Sequence, residues 1–453
     1  MHARRVGAAW AALLLFAAPA AAELTLNGTL ASEHRASMHE PYPWTWHRTR
    51  LAVRAEASPS MRTRFYGELH ALGRGYPAVG DAGDLADRDA VAPLDVRLQE
   101  AYADVYDLIV PGLELRFGRQ RIAWGRGDKV NPTDNLNPDD LEDIWDYGAH
   151  LGSDGVKLTY GAAGVLVTAV FLPYFTPAVL PAGDLAAVFA AELDLPPGLT
   201  PGTISETVHT PAQTLQDAPT LAAKVSGRLA GFDLSASFVH HRDDFPVLRR
   251  VVLTPGPAGA LHAEAELMYP REHVAGFDLA GDLGGLGVWA EVAVFFPETV
   301  PLGYDVDPAL LPRFAATGVS LPEPEALDGA PYVKWLVGFD YTFPFDVYVN
   351  AQFLHGFVHE RGADLGDYVL MNLDWTVLEG ILQITPVGIG LEVRDWNAPE
   401  NTYSFIAMPQ LTYWPADNVE ILIGGRWIWG TPGATFGPLT GADETFVRLS
   451  YSF

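Results

Sequence analysis

The chain has 453 residues, a formal net charge of -27, 49% hydrophobic residues and no cysteine. Such acidity argues against nucleic acid as a partner, and the lack of cysteine excludes disulfides, thiol catalysis and cysteine-ligated metals. Past residue 22 no stretch approaches the ~18 consecutive apolar residues of a membrane helix, although mean hydropathy is slightly positive at +0.08.

The N-terminus reads as an export signal. Arg4 and Arg5 form a basic start, Val6 to Phe16 an apolar run, and Ala20-Ala21-Ala22 a small-residue cleavage site before Glu23. Residues 1–22 would be removed, leaving a single domain over 23–453 that lies outside the cytoplasm. From Glu23 onward, apolar and polar residues alternate in segments of about 10 to 14, the length of a tilted membrane-spanning strand. Strands are expected near 24–33, 47–57, 61–72, 95–106, 112–124, 152–161, 163–174, 218–230 and 231–242. The second half adds 271–282, 285–297, 332–343, 346–356, 366–378, 380–394, 402–414, 418–429 and 443–453.

Short turns join every second pair: Ser58-Pro59-Ser60, Gly161-Ala162-Ala163, Ala230-Gly231, Leu283-Gly284, Pro344-Phe345, Glu379-Gly380 and Pro415-Ala416-Asp417. Long loops separate them at 33–46, 73–94, 125–151, 175–217, 243–270, 298–331, 357–365, 395–401 and 430–442. This asymmetry predicts an all-β fold, a transmembrane antiparallel β-barrel of about eighteen strands with short periplasmic turns and long extracellular loops. A large secreted all-β protein has no reason to keep such a rule through nine hairpins. The faces agree: Val447, Leu449, Tyr451 and Phe453 alternate with Arg448, Ser450 and Ser452, and Val333, Trp335, Val337, Phe339 and Tyr341 with Lys334, Asp340 and Thr342.

Residues 48–129 hold 13 Lys or Arg against 12 Asp or Glu, in a chain otherwise dominated by acid. A charge on the lipid face costs roughly 2–4 kcal/mol at midplane, so Arg48, Arg50, Arg54, Arg62, Arg64, Glu68, His70, Glu114 and Arg116 are expected to point into the lumen. At Gly118 the alternation slips, which suggests a bulge. These arginines either form a wall that guides anionic groups or pair with Glu56, Glu68, Glu100, Asp104 and Glu114 and fill the lumen. The two readings are compatible.

The stretch 118–155 crowds Arg119, Arg121, Arg126 and Lys129 together and then turns acidic, and it reads as unable to form an ordinary hydrophobic core. Within it, 125–151 is the third external loop. If it folds inward, Asp134, Asp139, Asp140 and Glu142 would face the arginine ladder. Asp128, Asn131, Asp134, Asn137, Asp139 and Asp140 also offer oxygen ligands for calcium, but their spacing does not match the EF-hand pattern and Asx-Pro steps are ordinary turn formers. No metal or cofactor is expected. No G-x-S-x-G elbow or H-E-x-x-H helix is present, and His240-His241 with Asp243-Asp244 reads better as a loop margin than as a catalytic cluster.

The terminal VRLSYSF resembles the C-terminal signature of bacterial outer-membrane proteins, which implies recognition of the Phe453 segment by the barrel-assembly machinery. The third loop, by position and acidity, resembles that of general porins, where it folds into the barrel and narrows it. Trp124-Gly125 and Asn137-Pro138-Asp139 look like a group of exported barrels that includes partners of lipid exporters, and alginate-export channels are similar in architecture. These resemblances imply a Gram-negative outer-membrane channel, in contact with outer-membrane lipids and lipopolysaccharide, that passes a small polar or charged solute without catalysis. The alternatives are an outer-membrane partner of a lipid, hydrophobe or polysaccharide export system, and a loop-presenting adhesin or structural barrel. A plug-bearing transporter is disfavoured, since the first strand starts directly after the signal.

Overall fold

A computed structural model describes residues 23–182, 201–256, 261–312, 314 and 325–453. The segment 1–22 read as an export signal lies outside them. Eighteen antiparallel strands close into a barrel. In chain order they are β1 (Leu24–Ser37), β2 (Trp44–Ser60), β3 (Thr63–Arg74), β4 (Leu94–Val105), β5 (Leu113–Gln120), β6 (Ser153–Ala162), β7 (Val165–Leu172), β8 (Thr220–Leu229) and β9 (Phe232–Arg242). The second half comprises β10 (Arg271–Asp282), β11 (Gly287–Pro297), β12 (Tyr332–Phe343), β13 (Val347–His355), β14 (Asp367–Val377), β15 (Leu382–Val393), β16, β17 (Val419–Gly430) and β18 (Glu444–Ser452). Strand β16 comes in two pieces, Tyr403–Ala407 and Gln410–Ala416. Between them stands Pro409, which has no N–H to give a ladder.

Each strand pairs with its neighbour in sequence, and β18 returns to β1 with Thr29 opposite Ser452. Gly28 and Phe453 exchange backbone hydrogen bonds of 2.9 and 3.0 Å at the seam. Closure removes every sheet edge, the condition for strands to cross a membrane. On β12, Val333, Trp335, Val337 and Phe339 are exposed on the outer wall while Tyr332, Lys334 and Leu336 are buried inside.

Several details differ from the sequence reading. The first hairpin turns at Met61 and Arg62, because Ser60 still pairs with Thr63. Arg62 is therefore exposed in a short turn and not in the lumen. No register shift occurs at Gly118, which pairs regularly with Tyr102 and Gly155; the irregularity lies where β3 meets β4, between Glu68 and Leu69. Gly118 takes φ 120°, a left-handed value that costs glycine little, so the strand absorbs the awkward residue without slipping.

Loops four to six are not plain connections. Pro201–His209, Val247–Pro255, Leu261–Met268 and Gly303–Val306 form a separate four-stranded sheet, over a core of Val251, Leu253, Leu261, Ala263, Leu310 and Phe314. Alternation was present there (Leu261, Ala263, Ala265 and Leu267 are the buried set of one strand), but the rule of short turns and long loops assigned the segment to a loop.

Candidate pore constriction

The third loop, 121–152, enters the lumen and is held on both sides. On the side of β1–β4 the contacts are ionic. The Arg35 guanidinium binds Asp143 through both of its terminal nitrogens, one at 2.8 Å, and donates through Nε to Glu33 at 2.7 Å. Arg48 lies 3.5 Å from the same Asp143 carboxylate. Arg74 pairs with Glu142, and Arg97 reaches Glu142 at 3.0 Å and Asp140 at 3.8 Å. Both Arg35 and Asp143 are buried. Burial would raise the Asp143 pKa, yet the hydrogen bond and charge of Arg35, with Arg48 behind it, hold it below the usual carboxylate range.

On the opposite side the main anchor is a carboxylate. Glu291, on the inner face of β11, accepts from the backbone N–H groups of Arg126, Gly127 (2.6 Å) and Thr133 (3.3 Å), and from the Thr133 hydroxyl (2.8 Å). Gly125 permits this approach: a Cβ there would lie 2.7 Å from Glu291 Oε1 and 2.8 Å from Asn131 Cβ, and φ is +93°. Gln352 of β13 accepts the Asp128 N–H at 3.1 Å and donates to the Asp128 carbonyl at 2.9 Å. Arg126 Nε donates to Asp278 of β10 at 3.2 Å.

Between these anchors the loop has a hydrophobic core, contrary to the expectation for 118–155. Val130 and Ile144 pack with Trp289, Leu336, Leu354, Ile406 and Ile428 of the inner wall. Ile122, Trp124 and Leu136 pack with Leu172, Val239, Val274, Ala293 and Phe295. Few apolar residues suffice because the wall supplies the rest. Each buried side chain of this size contributes about 1.5–3 kcal/mol.

The residues singled out from sequence divide accordingly. Asp140 and Glu142 face arginines, those of β3 and β4. Asp134 does not: it binds Arg121 within the loop. Asp139 does not either. Its N–H donates to the Asp244 carboxylate at 2.8 Å, and its own carboxylate lies 3.4 Å from His150 Nδ1. Burial, then Asp244 and Asp134, push the Asp139 carboxyl up. Burial and the neighbouring Asp243 raise Asp244 to about 6. Asp243 stays low, because Arg361 at 2.5 Å outweighs its burial.

The ladder itself is largely neutralised. Arg54 pairs with Glu68 at 3.2 Å, Arg64 with Glu56 at 2.8 Å and Asp104 at 3.3 Å, and Arg116 with Asp104 at 2.7 Å. Tyr66 and Tyr102 stack 5.1 Å apart beneath these guanidiniums. Among the described residues, Arg50 and Lys157 are the inward cations of β2–β6 without an ion pair. The charges around Arg50 are Arg48, Asp146, Arg448 and Glu68.

Sequence reasoning missed Glu33, Arg35, Arg74 and Arg97. Each shares the parity of a recognised inner residue but lies at or beyond the strand end drawn at 33 or 72, or across the irregularity in β4. Glu291 gave a weaker signal, a single acid among apolar residues of β11.

No family model matches this chain, and no curated protein matches it. Solved structures do. OpdK of Pseudomonas aeruginosa, determined with vanillate, has a TM-score of 0.51 at 10% identity, covering 95% of this chain and 98% of that one. OmpF of Salmonella typhi, in complex with daunomycin, has a TM-score of 0.42 at 10% identity, covering 96% and 98%. A loop-deleted OmpT of Vibrio cholerae has 0.40 at 10%, covering 96% and 100%. At such identity a likeness speaks to fold alone. The closed eighteen-stranded antiparallel wall, with its short turns and long loops, gives the chain a porin-like β-barrel fold.

Proposed function

We propose that this protein is an outer-membrane channel through which a small polar or charged solute diffuses passively. Residues 1–22 are its export signal, and the Phe453 segment at the β18–β1 seam is the part read by the barrel-assembly machinery. Barrels of sixteen to eighteen strands enclose an aqueous channel. The observation that carries the reading is the third loop, held across the lumen between arginines of β1–β4 and Glu291 of β11. A loop so placed sets the size of the passage. Charges fixed on its edge in a low-dielectric surround act more strongly on a passing solute than they would in water. Because most of the ladder is paired, we assign charge selectivity chiefly to Arg50, with Lys157 nearer the periplasm. Passage needs no catalytic step.

The test is electrical. Purified protein added to planar bilayers should insert with discrete conductance steps. A barrel that inserts and stays silent over the usual voltage range would falsify the channel and leave an anchoring role for the loops.

A further inference from the structure

The outer face of β1–β4 carries exposed Leu30, Leu51, Leu69, Val96 and Leu98, the apolar belt that meets lipid in a barrel of this kind. At its long-loop end four rings gather on the same face. His34 and His47 stand opposite in register and stack 4.9 Å apart. Trp44 meets His34 edge-on at 6.1 Å, and Tyr76 lies 6.1 Å from His47. The second long loop, 75–93, leaves β3 at this point. The His47 ring donates through Nδ1 to the Gly75 carbonyl at 3.2 Å, and a short helix, Arg88–Val91, brings the chain back to Leu94. Between the rings and that helix runs a groove of about 660 Å³, lined mainly by Trp44, Tyr76, Pro77, Val91, Pro93 and Leu94.

We infer that this groove holds one acyl chain of a bilayer lipid, drawn up from the outer leaflet beneath the second loop. The inference rests on the reading that this wall faces the bilayer. The groove continues the belt at Leu94 and Val96, both strongly exposed at 66% and 55%. Its upper border is aromatic, as at the level where headgroups begin. Its polar surroundings do not select a headgroup. Of the two arginines that line it, Arg74 is paired with Glu142 and Asp95, and the exposed Arg88 is flanked by Asp87 and Asp89. Apolar contact along the chain is therefore what retains the lipid. A second apolar groove, of about 480 Å³ on the outer face of β6–β9, is lined among the described residues by strand residues alone and retains none.

The full chain, delipidated in detergent and incubated with dioleoyl phosphatidylethanolamine, is weighed by native mass spectrometry. One lipid should remain on the wild type. Ala92→Trp, which fills the groove, should lower the retained fraction at least fivefold, while Arg88→Ala and Ala223→Trp in the second groove should not. Equal retention by Ala92→Trp and the wild type, loss confined to Arg88→Ala, or loss on Ala223→Trp each overturns the inference. Insertion into liposomes is scored in parallel. Wild type that fails to insert overturns the membrane reading itself, whereas wild type that inserts yet keeps no lipid overturns only the groove.

Discussion

The two inner walls of this barrel hold the same loop by different physics. The wall of β1–β4 presents guanidiniums, and Arg35, Arg48, Arg74 and Arg97 reach Asp140, Glu142 and Asp143. The wall of β10–β13 presents Val274, Trp289, Ala293, Phe295, Leu336 and Leu354, with Glu291 among them accepting several backbone donors and Gln352 and Asp278 each accepting one donor of the loop. Arg74 and Arg97 stay partly exposed, so their contacts with Asp140 and Glu142 are weak and screened by salt; the buried Arg35–Asp143 pair and apolar burial with satisfied hydrogen bonds are not. The apolar wall supplies more such contacts and so does most to fix where the loop sits, with Arg35–Asp143 as the one strong contact on the charged side.

The largest perturbation is to remove the loop. Deleting residues 128–146 should raise single-channel conductance several-fold and uncover the apolar wall, so an environment-sensitive hydrophobic dye should brighten on the variant. Unchanged conductance would mean that the passage is narrowed elsewhere. A smaller change attacks the apolar wall alone. Glu291→Ala leaves the N–H groups of Arg126, Gly127 and Thr133 unpaired, at about 1–3 kcal/mol for each that stays buried. Limited proteolysis should then cut near 126–133 where the wild type resists, and open-channel noise should grow. If removing the Arg35–Asp143 contact by Asp143→Ala loosens the loop more than Glu291→Ala does, the ranking of the walls is reversed.

A third perturbation is reversible. The Asp244 carboxyl, which accepts the Asp139 N–H, is raised to about 6. Asp139, Asp134 and His150 of the third loop face this site, with Asp243, His241 and Tyr269 beside it and Arg361 beyond Asp243. A carboxyl raised on folding binds its proton more tightly in the native state. Its contribution is complete below the ordinary carboxylate range and is lost as pH rises through about 6. Protection of the nearby Leu141 amide, which donates to the Val179 carbonyl at 2.8 Å, should, corrected for intrinsic exchange rate, fall between pH 5 and pH 7. Asp244→Asn should flatten that dependence, and a variant with the wild-type slope removes Asp244 as its source.

Much of the wall was legible because lipid imposes a strict rule: a charge that faces it is costly, so alternation around Arg48, Arg50 and Arg54 could be read directly. Counting turns placed the third loop. What could not be read was pairing across distance. Arg35 meets Asp143, 108 residues away, and Glu291 meets Arg126 at a separation of 165. Nothing local in either sequence announces its partner. The loop's core was invisible for the same reason, since Val130 and Ile144 look isolated until Leu336 and Leu354 are brought beside them.

The finest test asks whether the charged wall acts through its unpaired member. An arginine already bound to a carboxylate adds little net field at the distance of a passing ion, whereas Arg50 adds a whole charge. Arg50→Ala should shift the reversal potential in a KCl gradient toward cation selectivity, by a several-fold change in permeability ratio at 0.1 M salt. The shift should shrink at 1 M, where the Debye length falls from about 10 Å to about 3 Å. Arg62→Ala carries the same change in net charge but sits in the exposed turn, and it should leave the potential where it was. Equal shifts from both variants would show that total charge matters and not position, and the distinction between paired and unpaired arginines would then carry no selectivity.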